Sequence, residues 1–303
     1  AKEFPNVQFC HSTGTRAHTE GLANYHNAFA SIYEGRYLAG IAAGMKLNEM
    51  IEAGQFTADQ AKMGYVGAFT YAEVVSGYTS FYLGAKSVCP TVTMDVTFTG
   101  SWYDETLEKE GAQKLIAGGC KLISQHADSL GAPTACENAG IPNVSYNGST
   151  ITAGPNTYII SSRIDWAPYY EMAIKAVMDG TEIPADYTGT LSTGSVVLTD
   201  LNTAVAAEGT QAAIDEAKAK LESGELHVFD CSTFSVSGAN VKDTMKVDAD
   251  GHLTSYMADV NTDEAYTGDT EVVHDGYFSE SEFRSAPYFD LFIDGINTLD
   301  TAF

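Results

Sequence analysis

Trp102 and Trp166 are the only tryptophans in the chain, and each follows closely on an apolar run. So do Tyr71 and Glu73, His126 and Asp128 within QHADS, Asn147 before Gly148, and Asp165 beside Trp166. These residue types hold a solute rather than break its bonds. An aromatic face stacks on a flat heterocycle, at about 1–3 kcal/mol per stacked ring. A carboxylate such as Asp128 accepts two hydrogen bonds from a diol, or from a ring N–H and an amine, and Asn147 offers both donor and acceptor to a ring edge. His126 either touches the solute or orients Asp128 through a ring N–H. Each position also has a plainer reading. Half-buried Trp packs under loops, Asp128, Asp165 and Glu73 could cap helices, and Asn147 could serve a turn.

Residues for covalent or metal chemistry do not assemble. There is no Gly-x-Ser-x-Gly elbow and no Gly-x-x-x-x-Gly-Lys phosphate loop. The seven histidines (11, 18, 26, 126, 227, 252 and 274) lack metal-ligand spacing. Asp259-x-Asn261-x-Asp263 opens like a calcium loop, but Glu264 stands where Gly is needed and Thr270 where Glu is needed, so a solvated acidic loop is expected. Cys10, Cys89, Cys120, Cys136 and Cys231 are scattered and odd in number, which fits small core residues better than a disulfide framework. With 40 acidic against 16 basic residues the net charge is −24. Such a surface repels phosphate backbones, excludes nucleic acid as a partner and favours a soluble monomer. No stretch approaches eighteen consecutive apolar residues.

The elements that must carry these residues alternate. Strands are expected at 7–11, 63–69, 92–98, 122–125, 144–146 and 158–162, and helices at 29–45, 74–88, 104–115, 132–139 and from Pro168 to Asp179. In the second helix Val74, Tyr78, Phe81, Ala85 and Val88 make one apolar stripe, and Asp104 is placed to cap the third. Helices of this length between strands mean an α/β fold of parallel sheets with helices on both faces. Such sheets bind ligands beyond the carboxyl ends of their strands, which is where 70–73, 102–104, 126–129, 147–149 and 165–166 fall. The tail is different: a hairpin is expected around Asp250-Gly251, and Ser279-x-x-Glu282 is a capping-box pattern ahead of a helix in FRSAPYFDLFIDGI. Arg36 is read as one half of a structural ion pair.

Several segments resemble the basic membrane protein family, the substrate-binding lipoproteins that serve as purine-nucleoside receptors of ABC importers. They are NAFASIYEGRYLAGIAAGM (27–45), KMGYVGAFTYAEVVSGYTSFYLGAKSVCP (62–90), GSWYDE (100–105), LISQHADS (122–129), VSYNGS (144–149), SSRIDWAPYYEMAIKAVMDG (161–180) and SGELHVF (223–229), in order. The resemblance implies a type I periplasmic-binding-protein fold of two Rossmann-like lobes closing on ligand. One lobe would hold 1–61 and 156–190, and the other 62–155 and 191–303, with an elaboration from about 241. It implies a non-enzymatic binder with no cofactor, a purine nucleoside or nucleobase as ligand, and ABC permease subunits as partners. It also implies a lipid anchor outside the cytoplasmic membrane. Family members carry a lipobox and two βα units ahead of the point matching residue 1, on the order of 60–80 residues, so the first lobe is expected to be incomplete. Two alternatives keep a place: a purine-metabolising hydrolase, and the effector-binding core of a sugar-responsive regulator.

Overall fold

The computed structural model describes residues 1–261 and 267–301; Asp263 and Glu264 of the acidic loop lie outside them. The chain runs β1 (Phe9–His11), α1 (Ala17–Glu20), β2 (Tyr25–Ala30), α2 (Ile32–Glu52), β3 (Lys62–Gly67), α3 (Ala72–Val88), β4 (Thr93–Phe98) and α4 (Glu105–Ala117). It continues with β5 (Leu122–His126), α5 (Gly131–Ala139), β6 (Asn143–Tyr146), β7 (Tyr158–Ile164), α6 (Ala167–Asp179), β8 (Asp186–Gly189), β9 (Val196–Leu198) and α7 (Thr210–Ser223). Short strands close it: β10 (Met245–Val247), β11 (Leu253–Ala258), β12 (Thr270–Glu271), β13 (Val273–His274), β14 (Tyr277–Phe278) and β15 (Ile296–Thr298).

Two compact units result: Ala1–Ile32, Ile164–Val197 and Phe229–Phe289 form the first, and Tyr33–Arg163, Leu198–Val228 and Asp290–Phe303 the second. The boundaries differ from those expected. Residues 33–61 go with the second unit because α2 packs against α3. Most of the tail goes with the first, where Ser285 donates its backbone N–H to Asp186 and its carbonyl accepts from Asn27.

The second unit is built on strands ordered β15-β4-β3-β5-β6-β7, whose pairs are all parallel. Val66 and Ile123 of the sheet bury against Ala112 and Leu115 of α4 and Ala132, Ala135 and Cys136 of α5. The expected caps are present: the Asp104 side chain accepts from the backbone N–H groups of Thr106 and Leu107, and Gly140 ends α5 in the left-handed conformation. Helix α2 is buried on nearly all sides. It meets α3 at backbone contact, where a Cβ on Gly40 would lie 2.1 Å from the Phe81 carbonyl oxygen and one on Gly84 2.0 Å from that of Tyr37.

The first unit has a parallel sheet β1-β2-β8, with Ala28 packed on Tyr169, Ala173 and Ala176 of α6. Here two expectations fail. The helix expected over 29–45 is a strand to Ala30 followed by a helix from Ile32. The strand was hidden because its buried His26 and Asn27 are polar. They are satisfied by tertiary bonds: His26 to Gln8 and the Pro184 carbonyl, Asn27 to Asp186 and Gly14. The helix expected after Ser279 does not form. Pro287 removes a donor and crowds the preceding turn, and the backbone there is spent on tertiary partners instead. The hairpin at Asp250-Gly251 is present, with Gly251 at φ 84°. Four cysteines are buried as expected; Cys10 is exposed.

Gly40→Ala sets helix propensity against packing. Alanine is the better helix former by about 0.8–1 kcal/mol, but its Cβ would meet backbone that only separation of the two helices can move. We expect packing to win, with a net loss of about 1–3 kcal/mol in urea denaturation. Unchanged or increased stability would show that α2 and α3 are not in backbone contact.

Candidate functional site

Strands β4, β3, β5 and β6 are neighbours and parallel, so their carboxyl ends share one edge of the second unit. That edge gathers six of the eight predicted residues. Tyr71 is the N-cap residue of α3 and Glu73 lies in its first turn. Trp102 is in the loop after β4, His126 is the last residue of β5, Asp128 follows two residues later, and Asn147 comes directly after β6. Asp165 and Trp166 belong to the first unit. There the Asp165 carboxylate accepts the Ala167 N–H at 3.0 Å, one residue ahead of Trp166, which is the N-cap residue of α6. Trp166 packs against the α6 core, 6.3 Å from the Phe29 ring.

An aromatic wall stands on the edge. Phe69 and Tyr71 stack with centroids 4.9 Å apart and planes 13° apart. Trp102 leans on both, at 5.3 and 6.3 Å. Tyr71 remains 49% exposed and Trp102 38% exposed, so large apolar faces are held open rather than buried. By sequence Phe69 reads as the end of a strand, but β3 stops at Gly67 and leaves the Phe69 ring against Tyr71 and Trp102.

The loops behind the wall are tied to one another. Asp128 donates its backbone N–H to the Trp102 carbonyl at 3.0 Å. The buried Glu108 carboxylate accepts the backbone N–H of Ser129 (3.1 Å) and of Asp104 (3.0 Å). Burial pushes the Glu108 carboxyl above its usual range, a rise opposed by those bonds and reinforced by the Asp128 charge. The α5 N-terminus is served by Ser129, whose hydroxyl accepts the Gly131 N–H at 3.0 Å. Asp128 is therefore not a helix cap. It is exposed, and its Oδ1 accepts from Asn147 Nδ2 at 3.3 Å. Asn147 adopts φ 66°, a left-handed conformation that Asn tolerates better than most residues. Two hydrogen-bonding side chains thus stand side by side next to the aromatic wall.

Beneath them lies a buried polar layer. His126 is 1% exposed, with its ring against Tyr146 at 4.1 Å and Trp102 at 6.4 Å. Its Nδ1 is 3.3 Å from the Tyr65 hydroxyl. Its Nε2 is 3.9 Å from Glu73 Oε1, beyond hydrogen-bond range. Gly77 of α3 makes room for the ring, since a Cβ there would sit 2.5 Å from Nδ1. Below Tyr65 lies Arg36, fully buried, donating to the Ser145 carbonyl (3.1 Å), the Tyr65 hydroxyl (3.1 Å) and Ser124 Oγ (2.8 Å). Its guanidinium lies over the rings of Phe81, Tyr65 and Tyr146 at 4.9, 5.3 and 5.5 Å. The expected ion pair is absent: among the described residues no carboxylate lies against Arg36. Oxygen dipoles and ring faces stabilise it instead.

The family model described as Bmp, an ABC transporter substrate-binding protein that is PnrA-like, matches residues 1–228. The chain belongs to that family. It is 32% identical over 229 residues to a purine-binding protein of Brucella abortus, covering 76% of this chain and 61% of that one. It is 33% identical over 198 residues to a Haloferax volcanii protein named for ABC transporter glucose binding, covering 65% of this chain and 47% of that one. The chain thus spans about half to three fifths of these relatives. A solved ABC transporter solute-binding protein from Conexibacter woesei superposes with a TM-score of 0.55 at 26% identity, covering 75% of this chain and 73% of that one. The fold is the type I periplasmic-binding-protein fold. The family comprises extracytoplasmic binding components rather than enzymes. Among the described residues no helix is long and apolar enough to cross a membrane.

The buried imidazole predicts a pH response. Burial lowers the His126 pKa, and the nearby Arg36 charge lowers it further, against the opposing influence of Glu73 and Asp128. In the unfolded chain histidine titrates near about 6.5. The unfolded state therefore takes up the proton first, so this group's contribution is intact above that pH and is lost as pH falls toward the lower folded value. We expect wild-type stability to fall more steeply below about pH 6.5 than that of His126→Gln, read as the difference between two urea-denaturation series. Parallel series would place His126 in solvent.

Proposed function

We propose that this chain is the solute-binding component of an ABC importer and takes a purine nucleoside or nucleobase on the carboxyl edge of its second unit. The observation that carries the reading is the pairing of an open aromatic wall, Tyr71 and Trp102, with the adjacent Asp128 and Asn147 side chains. A flat heterocycle laid on the wall gains stacking energy, while its N–H groups or a ribose diol reach the Asp128 carboxylate. The purine-binding name of the Brucella abortus relative supports the same class of ligand. The glucose-binding name of the Haloferax volcanii relative keeps a second reading open, since a sugar also stacks on aromatics and pairs its diols with carboxylates. In the same proposal the protein acts as a monomer, releases its ligand unchanged to permease subunits, and is held outside the cytoplasmic membrane by a lipid tether.

Calorimetry against adenosine, guanosine, inosine, adenine and glucose tests the ligand class. A purine should bind, and Asp128→Asn should weaken it about ten- to hundredfold, the cost of a lost hydrogen bond to a charged group. Melting should be unaltered, because Ser129 rather than Asp128 serves α5. A response to glucose alone, or full affinity in Asp128→Asn, would overturn the reading.

A further inference from the structure

The buried layer under the site has a direction. Arg36 only donates, so the Tyr65 oxygen is its acceptor. The single Tyr65 proton is then free to donate, and the acceptor it meets is His126 Nδ1 at 3.3 Å. The opposite arrangement would place a proton on Nδ1. Both Nδ1 and Arg36 would then donate to the phenol oxygen, and a fully buried Tyr65 hydroxyl would have nowhere to donate. That costs about 1–3 kcal/mol. His126 is therefore the neutral tautomer with its proton on Nε2. That N–H is buried and lacks a hydrogen-bond partner, and it faces the Glu73 carboxylate across 3.9 Å. The groups facing the ring are Tyr65 from β3, Glu73 and Gly77 from α3, Tyr146 from β6, Trp102 and Asp128 from the loops, and Arg36 from α2.

We propose that His126 is a positioning residue: Arg36 and Tyr65 fix its tautomer, and its Nε2–H holds the Glu73 carboxylate as an acceptor for a ligand N–H. Glu73 lies in the first turn of α3 with a partly exposed side chain, so a side-chain rotation closes the gap when a ligand arrives. One Glu73 oxygen then takes the histidine proton donor and the other remains for the ligand. The step moves no proton and breaks no bond; it sets which ligands fit, favouring those that present a donor. It rests on the reading that this edge binds a purine.

Nitrogen-15 NMR of the imidazole and inosine binding test it together on the whole chain. In the wild type His126 should show a protonated Nε2 and a bare Nδ1. Tyr65→Phe, which keeps the ring and removes the hydroxyl, should lose that preference and bind inosine about three- to tenfold more weakly. Glu73→Gln should cost about tenfold. Because Tyr65 acts through Glu73, the double variant should bind about as Glu73→Gln does. A proton on Nδ1 in the wild type, or losses that multiply in the double variant, would overturn the proposal. The wild-type spectrum needs no variant, so the test survives a Tyr65→Phe chain that fails to fold. Failure of wild type to bind inosine, with the tautomer as described, would strike the purine reading instead.

Discussion

Arg36 carries a positive charge into the interior of the second unit with no carboxylate against it. Leaving such a cation without compensation costs several kcal/mol. The structure compensates it with three hydrogen bonds and three ring faces, drawn from α3, β3, β5 and β6. Moving any of those elements strips a partner from the buried charge, so their mutual placement is tightly constrained. Helix α2 must lie close enough to deliver the guanidinium, and its backbone contact with α3 through Gly40 and Gly84 fits that demand. The carboxyl edge of the sheet sits directly on this assembly: Tyr65 joins Arg36 to His126, and His126 lies against Tyr146 and Trp102.

Above that layer the site is made by topology. A parallel sheet turns all its carboxyl ends one way, so Tyr71, Trp102, Asp128 and Asn147 meet although up to 76 positions separate them in the chain. The loops that hold them gain rigidity from backbone bonds: Asp128 to Trp102, Ser129 to Glu108, Asn147 to Ser162. Rigid loops keep aromatic faces in water, where a less constrained chain would fold them inward. Holding such surface open stabilises nothing in the free protein, so its natural explanation is a partner that covers it.

The parallel-sheet architecture was readable in the sequence because β3 to β6 are apolar strands between amphipathic helices with ordinary caps. That six of the candidate positions share one edge was readable for the same reason, since the strand ends locate them. Other features depend on contacts that local pattern does not carry. Strand β2 was hidden by buried His26 and Asn27, whose partners lie up to 258 positions away. Residues 280–294 resemble a helix in composition, but Pro287 and the tertiary bonds of Ser285 hold them irregular. Arg36 looked like half of an ion pair because a buried arginine usually is one; its aromatic and oxygen surroundings come from elements distant in the chain. Phe69 was missed by two residues of strand length.

The central claim, that the exposed edge of the second unit holds a flat heterocycle against its aromatic wall, is most directly tested by fluorescence. With two tryptophans in the chain, Trp166→Phe leaves Trp102 as the sole indole. Titration with adenosine, guanosine and inosine should change its emission saturably for at least one of them, with the nucleoside recovered unaltered and glucose without effect. Emission that stays constant through all three purine titrations, or that saturates only with glucose, would contradict the account.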